Sequence, residues 1–331
     1  MNVLVLGGAG FIGSHLVNRL IDDGHAVTVL DLVASSNPDV VRSYVGSHQD
    51  GDLVEQSMNG IDAVCHLIST TVPATSNKDM EFDIQSNLVS TLRILEVMRR
   101  HHVPRIIYLS TGGAIYGEPQ EYPISETHPL RPICSYGVVK SAVESYLHLF
   151  QELHGLSTLV IRPANAYGPG QNIRKPQGVI GHFLANALQG KPIQIWGDGE
   201  VRRDYIYISD LVDFVAQAVS SNQNGVYNVA SGEDFSVNEI VAVVEQVIGR
   251  DLEKQHIEQP SYDVKRVRLD IKAAKAAFDW TPCISLKEGV QRQFDSMKQQ
   301  FEASQLVHAG HKAVPSRHAS DMKSKLPREP K

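Results

Sequence analysis

The chain opens on a short apolar run, Asn2-Val-Leu-Val-Leu6, whose length suits a strand buried on both faces. Leu16, Val17, Leu20 and Ile21 then recur at helical spacing within residues 14–21, Gly24-His25 closes that helix, and Ala26–Leu30 reads as a second strand ending in Asp31. The alternation continues. Ala63–Ile68, preceded by Asp62, predicts a buried strand, and residues 83–100 predict a helix with Ile84, Leu88, Leu92, Leu95 and Met98 on one stripe. Arg105–Leu109 predicts the next strand. A helix holding Tyr136 follows and continues to about His154, with Val139, Val143, Leu147 and Phe150 on its apolar side, and Thr158–Ile161 predicts one more strand. Strands and helices in this order fold most economically as an α/β, doubly wound parallel sheet.

Beyond Arg162 the texture changes. Asn165-Ala-Tyr-Gly-Pro-Gly170 and the apolar stretch Gly181–Leu188 lead to Ile193–Trp196 and the turn Gly197-Asp198-Gly199. Arg202-Arg203-Asp204 then precedes an alternating strand, Tyr205–Ile208, and a helix started by Ser209-Asp210. Ser236-Val-Asn-Glu239 has the form of a capping box opening a helix to about Ile248. The expected organisation is a sheet domain of residues 1–165 plus about 204–230, and a smaller C-terminal α/β lobe of about 166–203 and 231–303. From Ser304 the chain loses periodicity and becomes rich in His, Lys, Arg, Ser and Pro, so 304–331 is expected to be a disordered tail.

Composition narrows the partners. At 331 residues and 42% hydrophobic the chain can bury a large core, and no apolar run approaches the length of a membrane span. The first strand lacks the basic flank and cleavage site of a signal peptide, so a cytoplasmic protein without a membrane partner is expected. A net charge of −6 argues against a nucleic-acid partner. The three cysteines, Cys65, Cys134 and Cys283, are far apart, which fits reduced thiols, and none has a metal-ligand spacing, so no metal is expected.

The chemistry lies in two motifs. Gly7-x-x-Gly10-x-x-Gly13 sits between the first strand and the first helix, where backbone must approach a pyrophosphate at a helix N-terminus; Phe11 and Ile12 open that helix. Asp31, ending the second strand, can accept hydrogen bonds from both hydroxyls of an adenosine ribose and would repel a 2′-phosphate, which favours NAD over NADP. Tyr136 and Lys140 lie four apart on one helix face. An ammonium at that spacing favours the phenolate and would draw the tyrosine down from about 10 toward the range of a general base. A Tyr-x-x-x-Lys pair alone fits equally well a packed ring beside a solvated lysine. Together with the glycine turn it points to an enzyme that moves a proton and a hydride at a carbinol carbon.

The ordered set Gly7-Gly8-Ala9-Gly10-Phe11-Ile12-Gly13-Ser14, Asp31, Asp52-Leu53, His66-Leu67, Asn87, Ser110–Gly117, Tyr136-x-x-x-Lys140, Arg162-Pro-Ala-Asn165, Gly168-Pro-Gly170 and Arg203-Asp204-Tyr205 resembles the extended short-chain dehydrogenase/reductases of the NAD-dependent sugar-nucleotide epimerase/dehydratase family, closest to its UDP-glucose 4-epimerase-like members. The resemblance implies a Rossmann sheet with a substrate lobe, bound NAD and a UDP-sugar substrate. It implies Tyr136 as catalytic base, tuned by Lys140, which would also hold the nicotinamide ribose. Asp52 and Leu53 would flank the adenine and Leu67 would line the cofactor. Asn165 and Arg203 would hold the nucleotide diphosphate, and Trp196 would line the base pocket. Helices matching 83–100 and 136–154 commonly pair in such proteins, so a homodimer is implied.

Two departures from the family pattern bear on the site. The family's catalytic Ser or Thr usually stands where this chain has Gly112. Thr111 keeps the usual separation of twenty-five residues before Tyr136 and is taken as the hydroxyl that bonds the sugar oxygen, with Ser110 as the alternative. Gly112-Gly113 also lacks the Asp-Glu pair of 4,6-dehydratases. Pro260 replaces a second diphosphate arginine, leaving Lys265, Arg266 and Arg268 as candidates for that charge. Val267, where a tyrosine would exclude N-acetyl groups, either borders the sugar's C2 substituent or packs beneath Arg268. The expected reaction is C4 epimerisation of a nucleotide sugar. A nucleotide-sugar ketoreductase and a non-catalytic dinucleotide sensor are the alternatives.

Overall fold

The structure, a computed structural model, describes residues 1–173, 178–258 and 264–312. Its centre is a seven-stranded sheet in the order Gly225–Val229, Ser157–Pro163, Arg105–Leu109, Ala63–His66, Asn2–Leu6, Ala26–Asp31, Arg42–Val45, with every neighbouring pair parallel. The inner strands are rich in Val, Ile and Leu because both faces are covered. Alternate residues serve opposite faces. Val3, Val5, Val27, Val29, Cys65 and Ile107 pack with Leu16, Val17 and Leu20 of helix Phe11–Asp22. Leu4, Leu6, Leu30, Val64 and Ile106 pack with Ile94, Leu95, Met98, Val143 and Leu147.

The order of the strands reverses beside the first one. Asn2–Leu6 lies between Ala26–Asp31 and Ala63–His66, and a crevice opens at the carboxyl ends of its strands, where ligands of such sheets bind. Gly7, Leu67 and the residues after Leu109 stand at that edge.

The predicted strands and the Ser135–His154 helix are present, and the Ser236 capping box is formed: its hydroxyl accepts from the Glu239 amide at 3.1 Å and its amide donates to Glu239 at 2.7 Å. Three expectations need correction. The helix expected over 83–100 is broken into Met80–Asp83, a π-helical turn Ile84–Val89 and Ser90–Arg100. The inward row is the one beside the predicted stripe: Ile84 is 42% exposed while Asp83, Ser86, Asn87, Ser90 and Thr91 face inward. Ser209-Asp210 does not cap its helix, which runs Ile208–Ser220 from Tyr207; Asp210 accepts instead from the amides of Cys283 and Ile284, each at 3.0 Å. The last helix, Leu286–Lys312, passes through residue 304, where the tail was expected to begin; residues 313–331 lie outside the described residues.

Outside the main sheet, Asn165–Tyr167, Arg202–Tyr207 and Asp234–Ser236 form a three-stranded sheet, and Ile193–Trp196 pairs in parallel with Lys254–Ile257. Among the described residues no helix is long and apolar enough to cross a membrane.

One buried ion pair ties the Ser135–His154 helix to the sheet. Glu144 accepts from Arg162 at 2.5 Å, both side chains almost fully enclosed, and Arg162 also donates to the Tyr116 hydroxyl at 2.9 Å. Removing one member strands the other charge, so Glu144→Leu is expected to lower stability by about 3–5 kcal/mol. Denaturant unfolding measures it, and a loss below about 1 kcal/mol would mean that the pair is dispensable.

Candidate active site

The glycine turn is built as a cradle. Gly7 has φ +88°, a conformation open to glycine, and a Cβ on Gly13 would fall 2.0 Å from the Gly7 carbonyl oxygen. Helix Phe11–Asp22 starts at Gly10 with no side-chain cap, which leaves its first amides and its positive end for an anion. Phe11 and Ile12 are half-buried at its start. Asp31 reaches back to the turn: its Oδ2 accepts from the Ala9 amide at 2.9 Å and its Oδ1 from Leu32 at 2.6 Å. A side-chain-free turn, an uncapped helix start and a strand-end carboxylate fit a dinucleotide such as NAD. Asp52 and Leu53 lie in helix Gly51–Ser57, where both amides donate to Asp50; Leu67 directly follows strand Ala63–His66.

The reactive pair sits on the next elements. Ser135–His154 places Tyr136 in its first turn and Lys140 one turn on. Thr111 lies beside Tyr136 and lowers its pKa, so the structure brings together the two residues expected to act as hydroxyl and base. Lys140 is buried; its Nζ donates to the Leu109 carbonyl at 2.8 Å and lies 4.6 Å from the Tyr108 ring centroid and 5.8 Å from that of Tyr136.

The electrostatics differ from the expectation that Lys140 draws the phenol down. Burial pushes Tyr136 up to about 12, opposed by the nearby Thr111 hydroxyl and helped by Cys134 and Asp83. Burial also brings Lys140 down to about 8, opposed by the negative charges of Glu144 and Asp83. The ammonium is held against a backbone carbonyl and a neighbouring ring, and desolvation of the phenolate outweighs its pull.

The two glycines after Thr111 are explained by packing. A Cβ on Gly112 would lie 2.4 Å from Leu269 Cδ1 and 3.1 Å from the carbonyl oxygens of both Arg162 and Pro163, so no hydroxyl-bearing side chain fits there without movement. Ser110 points elsewhere, donating to Glu144 in the buried ion pair.

The residues expected around the substrate are dispersed over the smaller sheets. Asn165 is exposed on its short strand, paired with Tyr205, and its Oδ1 would lie 3.6 Å from a Cβ on Gly113. Arg203 is half-buried and donates to the Arg202 carbonyl at 2.8 Å. Trp196 is exposed at the end of its strand. Val267 is buried in the larger apolar core. Of the candidates for the second diphosphate charge, Arg266 is bound to Asp234 at 2.6 Å and covers the Tyr122 ring, and Arg268 donates to the Gly232 carbonyl at 2.8 Å. Pro260 lies outside the described residues.

The sequence reading missed Glu144 and Arg162 as site supports, and the polar cluster of Asp83, Ser86, Thr70 and Thr71 around Asn87. The signal for the cluster was present: Asp83, Ser86, Asn87, Ser90 and Thr91 recur at helical spacing, a polar stripe beside the apolar one.

A family model described as the NAD dependent epimerase/dehydratase family matches residues 3–230. The chain belongs to that family. It is 34% identical over 303 residues to a UDP-glucose 4-epimerase of Mycolicibacterium smegmatis, covering 88% of this chain and 97% of the relative. A structure of the UDP-glucose 4-epimerase of Thermotoga maritima with UDP-glucose superposes with a TM-score of 0.87 at 35% identity, covering 91% of this chain and all of that one. The Thermus thermophilus UDP-glucose 4-epimerase in complex with NAD gives a TM-score of 0.83 at 33% identity, covering 90% of this chain and 99% of that one. More distant relatives include a UDP-glucuronic acid decarboxylase of Xenopus tropicalis, 28% identical, and a dTDP-4-dehydro-6-deoxyglucose reductase of Escherichia coli, 31% identical. This family member is an NAD-dependent enzyme.

Because the turn has no room at Gly13, Gly13→Val is expected to abolish NAD retention. The NAD content of the purified variant, released by heat and assayed, tests this; a full complement would mean that the turn is not the pyrophosphate cradle.

Proposed function

We propose that the protein epimerises a nucleotide sugar, most simply a UDP-hexose or UDP-N-acetylhexosamine, at C4 through a transient 4-keto sugar. The placement of Tyr136 and Lys140 one turn apart on one helix, with the Lys140 Nζ 5.8 Å from the Tyr136 ring and held by the carbonyl of Leu109, two residues before Thr111, carries this reading. NAD, when bound, supplies a hydride acceptor and a cationic ring. Tyr136 takes the proton of the C4 hydroxyl as that carbon is oxidised, and Thr111 holds the oxygen as it becomes a carbonyl. Tyr136 then returns the proton when the ketone is reduced on its other face. Lys140 orients the cofactor ribose, Gly7, Gly10 and Gly13 hold the pyrophosphate, Asp31 holds the adenosine ribose, and Asp52, Leu53 and Leu67 border the cofactor. Asn165, Arg203 and Trp196 bind the nucleotide of the substrate.

The Gly112-Gly113 pair supports epimerisation over dehydration, since neither residue supplies an acid or a base. A ketoreductase remains the second reading, favoured by the reductase among the relatives. It would exchange its cofactor in solution, whereas an epimerase keeps it. Incubation of the purified protein with UDP-glucose and no added NAD separates the two: formation of the C4 epimer supports the first, and turnover only with added reduced cofactor supports the second.

We also propose a homodimer through the outward faces of helices 80–100 and 135–154. Phe82, Ile84, Tyr146, Leu149 and Leu153 are all exposed there, an apolar surface of the kind that marks an interface.

Tyr136→Phe keeps the ring and removes the proton acceptor, so turnover is expected to fall about a hundredfold or more with NAD still bound. Retention of most of the activity would exclude Tyr136 as the base. Thr111→Val is expected to cost about 3 kcal/mol in transition-state stabilisation, measured as kcat/KM. Ser110→Ala should act on stability through Glu144 and leave kcat close to the parent's; the reverse ranking would move the catalytic hydroxyl to Ser110.

A further inference from the structure

One row of side chains crosses the carboxyl end of the main sheet on the side that the Ser135–His154 helix covers. Its register partners are Leu30, Leu6, His66, Tyr108 and Val160. Three are aliphatic, as strands covered on both faces prefer. His66 and Tyr108 are not, and they stand side by side where Lys140 comes down from the helix. Both are buried, and Tyr108 belongs to the smaller apolar core with Leu6, Leu30, Val143 and Leu147. Aliphatic side chains suffice for most of that core, so packing alone leaves the aromatic ring unexplained.

The Lys140 Nζ lies over the face of that ring, 4.6 Å from its centroid, while donating to the Leu109 carbonyl at 2.8 Å. The Tyr136 ring is farther away, at 5.8 Å. An ammonium within about 6 Å of a ring centroid is drawn to the negative face of the π system, more strongly where water is excluded. Lys140 is 3% exposed, and among the described residues it takes part in no ion pair. Glu144, one turn further along its helix, is bound to Arg162. The ring is held from its other side by His66, T-shaped to it with 5.4 Å between centroids, and His66 Nε2 lies 3.0 Å from the Thr91 hydroxyl. Burial, aided by the charge of Lys140, keeps that imidazole neutral. The titratable groups around Lys140 are thus Tyr108 and, across it, His66, then Tyr136 and Glu144 on its own helix, and Asp83 at the end of helix Met80–Asp83.

We infer that Tyr108 is a positioning residue for Lys140: the face of its ring holds the ammonium against the Leu109 carbonyl, one helical turn from Tyr136, at the sheet edge where the cofactor ribose is proposed to lie. The inference rests on the epimerase reading for its effect on rate, and on the structure alone for its effect on Lys140. Tyr108→Phe keeps the face and removes only the hydroxyl. Tyr108→Leu takes from a desolvated cation one of the two groups it touches, and burial then drives its proton off at lower pH.

The test is NMR of the full-length protein labelled with carbon-13 at lysine Cε, with Lys140→Met identifying the resonance. Protons held over a ring face are shielded by its ring current, so the Lys140 Hε signal is expected upfield of those of exposed lysines. Tyr108→Phe should keep it there, and Tyr108→Leu should return it to the range of the exposed lysines. Lys140 is expected to titrate near about 8 in the parent and in Tyr108→Phe. In Tyr108→Leu the midpoint should fall by about one unit. With UDP-glucose at pH about 8, that change cuts the protonated fraction, and with it kcat/KM, by about fivefold in Tyr108→Leu, while Tyr108→Phe stays close to the parent. A ring that merely fills space would lower the melting temperature of Tyr108→Leu and leave the Lys140 signal and midpoint where they were. A folded Tyr108→Leu that keeps the upfield signal overturns the proposal, as does a Tyr108→Phe that loses it. Tyr108→Met, also without a ring, takes the place of Tyr108→Leu if that variant does not fold, with the same outcomes on either side. The NMR needs no substrate, so a parent protein that fails to turn over any nucleotide sugar would refute the epimerase reading and leave the Tyr108 result standing.

Discussion

An ammonium buried beneath a parallel sheet's carboxyl edge is expensive, and much of the surrounding structure answers that cost. Lys140 is enclosed on a helix whose other inward residues, Val139, Val143 and Leu147, are apolar. Desolvating a charge costs several kcal/mol unless partners replace the water. Here the partners are the Leu109 carbonyl, the face of Tyr108 and two carboxylates, Glu144 and Asp83. Leu109 and Tyr108 belong to strand Arg105–Leu109, Glu144 to the helix of Lys140 itself, and Asp83 to the short helix before the π-helical turn. The buried lysine thus draws on all three of these elements.

The same segments carry the proposed chemistry. Leu109, whose carbonyl holds Lys140, is two residues before Thr111; Glu144, which opposes loss of the Lys140 proton, is held by Arg162 and by Ser110. Ser110 and Thr111 are adjacent but divided in use, one hydroxyl locked into the ion pair and the other turned toward Tyr136. Neighbouring residues of an extended chain point to opposite sides, so one of the pair had to face inward. Burial holds Tyr136 in its protonated form in this arrangement, the state that the proposed return of a proton to a ketone calls for.

The sheet was legible because buried parallel strands are apolar runs bounded by glycine or by charge: Asn2–Leu6 and Arg105–Leu109 coincide with their predicted spans. The glycine turn, Asp31 and the Tyr136–Lys140 pair were legible because each is local, its spacing set by one turn or one helix. What failed was long-range. The stripe through Ile84 was read as the core-facing row, but the buried row is the one beside it, which begins with the polar Asp83, Ser86, Asn87, Ser90 and Thr91 and continues into Ile94, Leu95 and Met98. A reading that looks for apolar residues on the inward face passes over a row whose first two turns are polar. Glu144 and Arg162 were invisible for a different reason: a buried ion pair between a helix and a strand has no sequence spacing at all.

The Gly112-Gly113 pair joins the fold to the choice of reaction. Gly112 donates its amide to the Pro163 carbonyl at 2.8 Å, and Leu269 fills the space where a side chain would begin. The loop after strand Arg105–Leu109 is thereby pressed against the end of strand Ser157–Pro163, and the hydroxyls it carries at this point, Ser110 and Thr111, precede the glycines. Relatives named as a decarboxylase and a reductase align with 91% and 89% of this chain, so overall similarity does not separate the reactions. A distinction has to come from groups that touch the sugar. A loop with no side chain at two successive positions offers neither an acid for a leaving group nor a base for an adjacent carbon. What it leaves is a single hydroxyl beside a tyrosine, which suffices for moving one proton on and off one oxygen, and C4 epimerisation asks for no more.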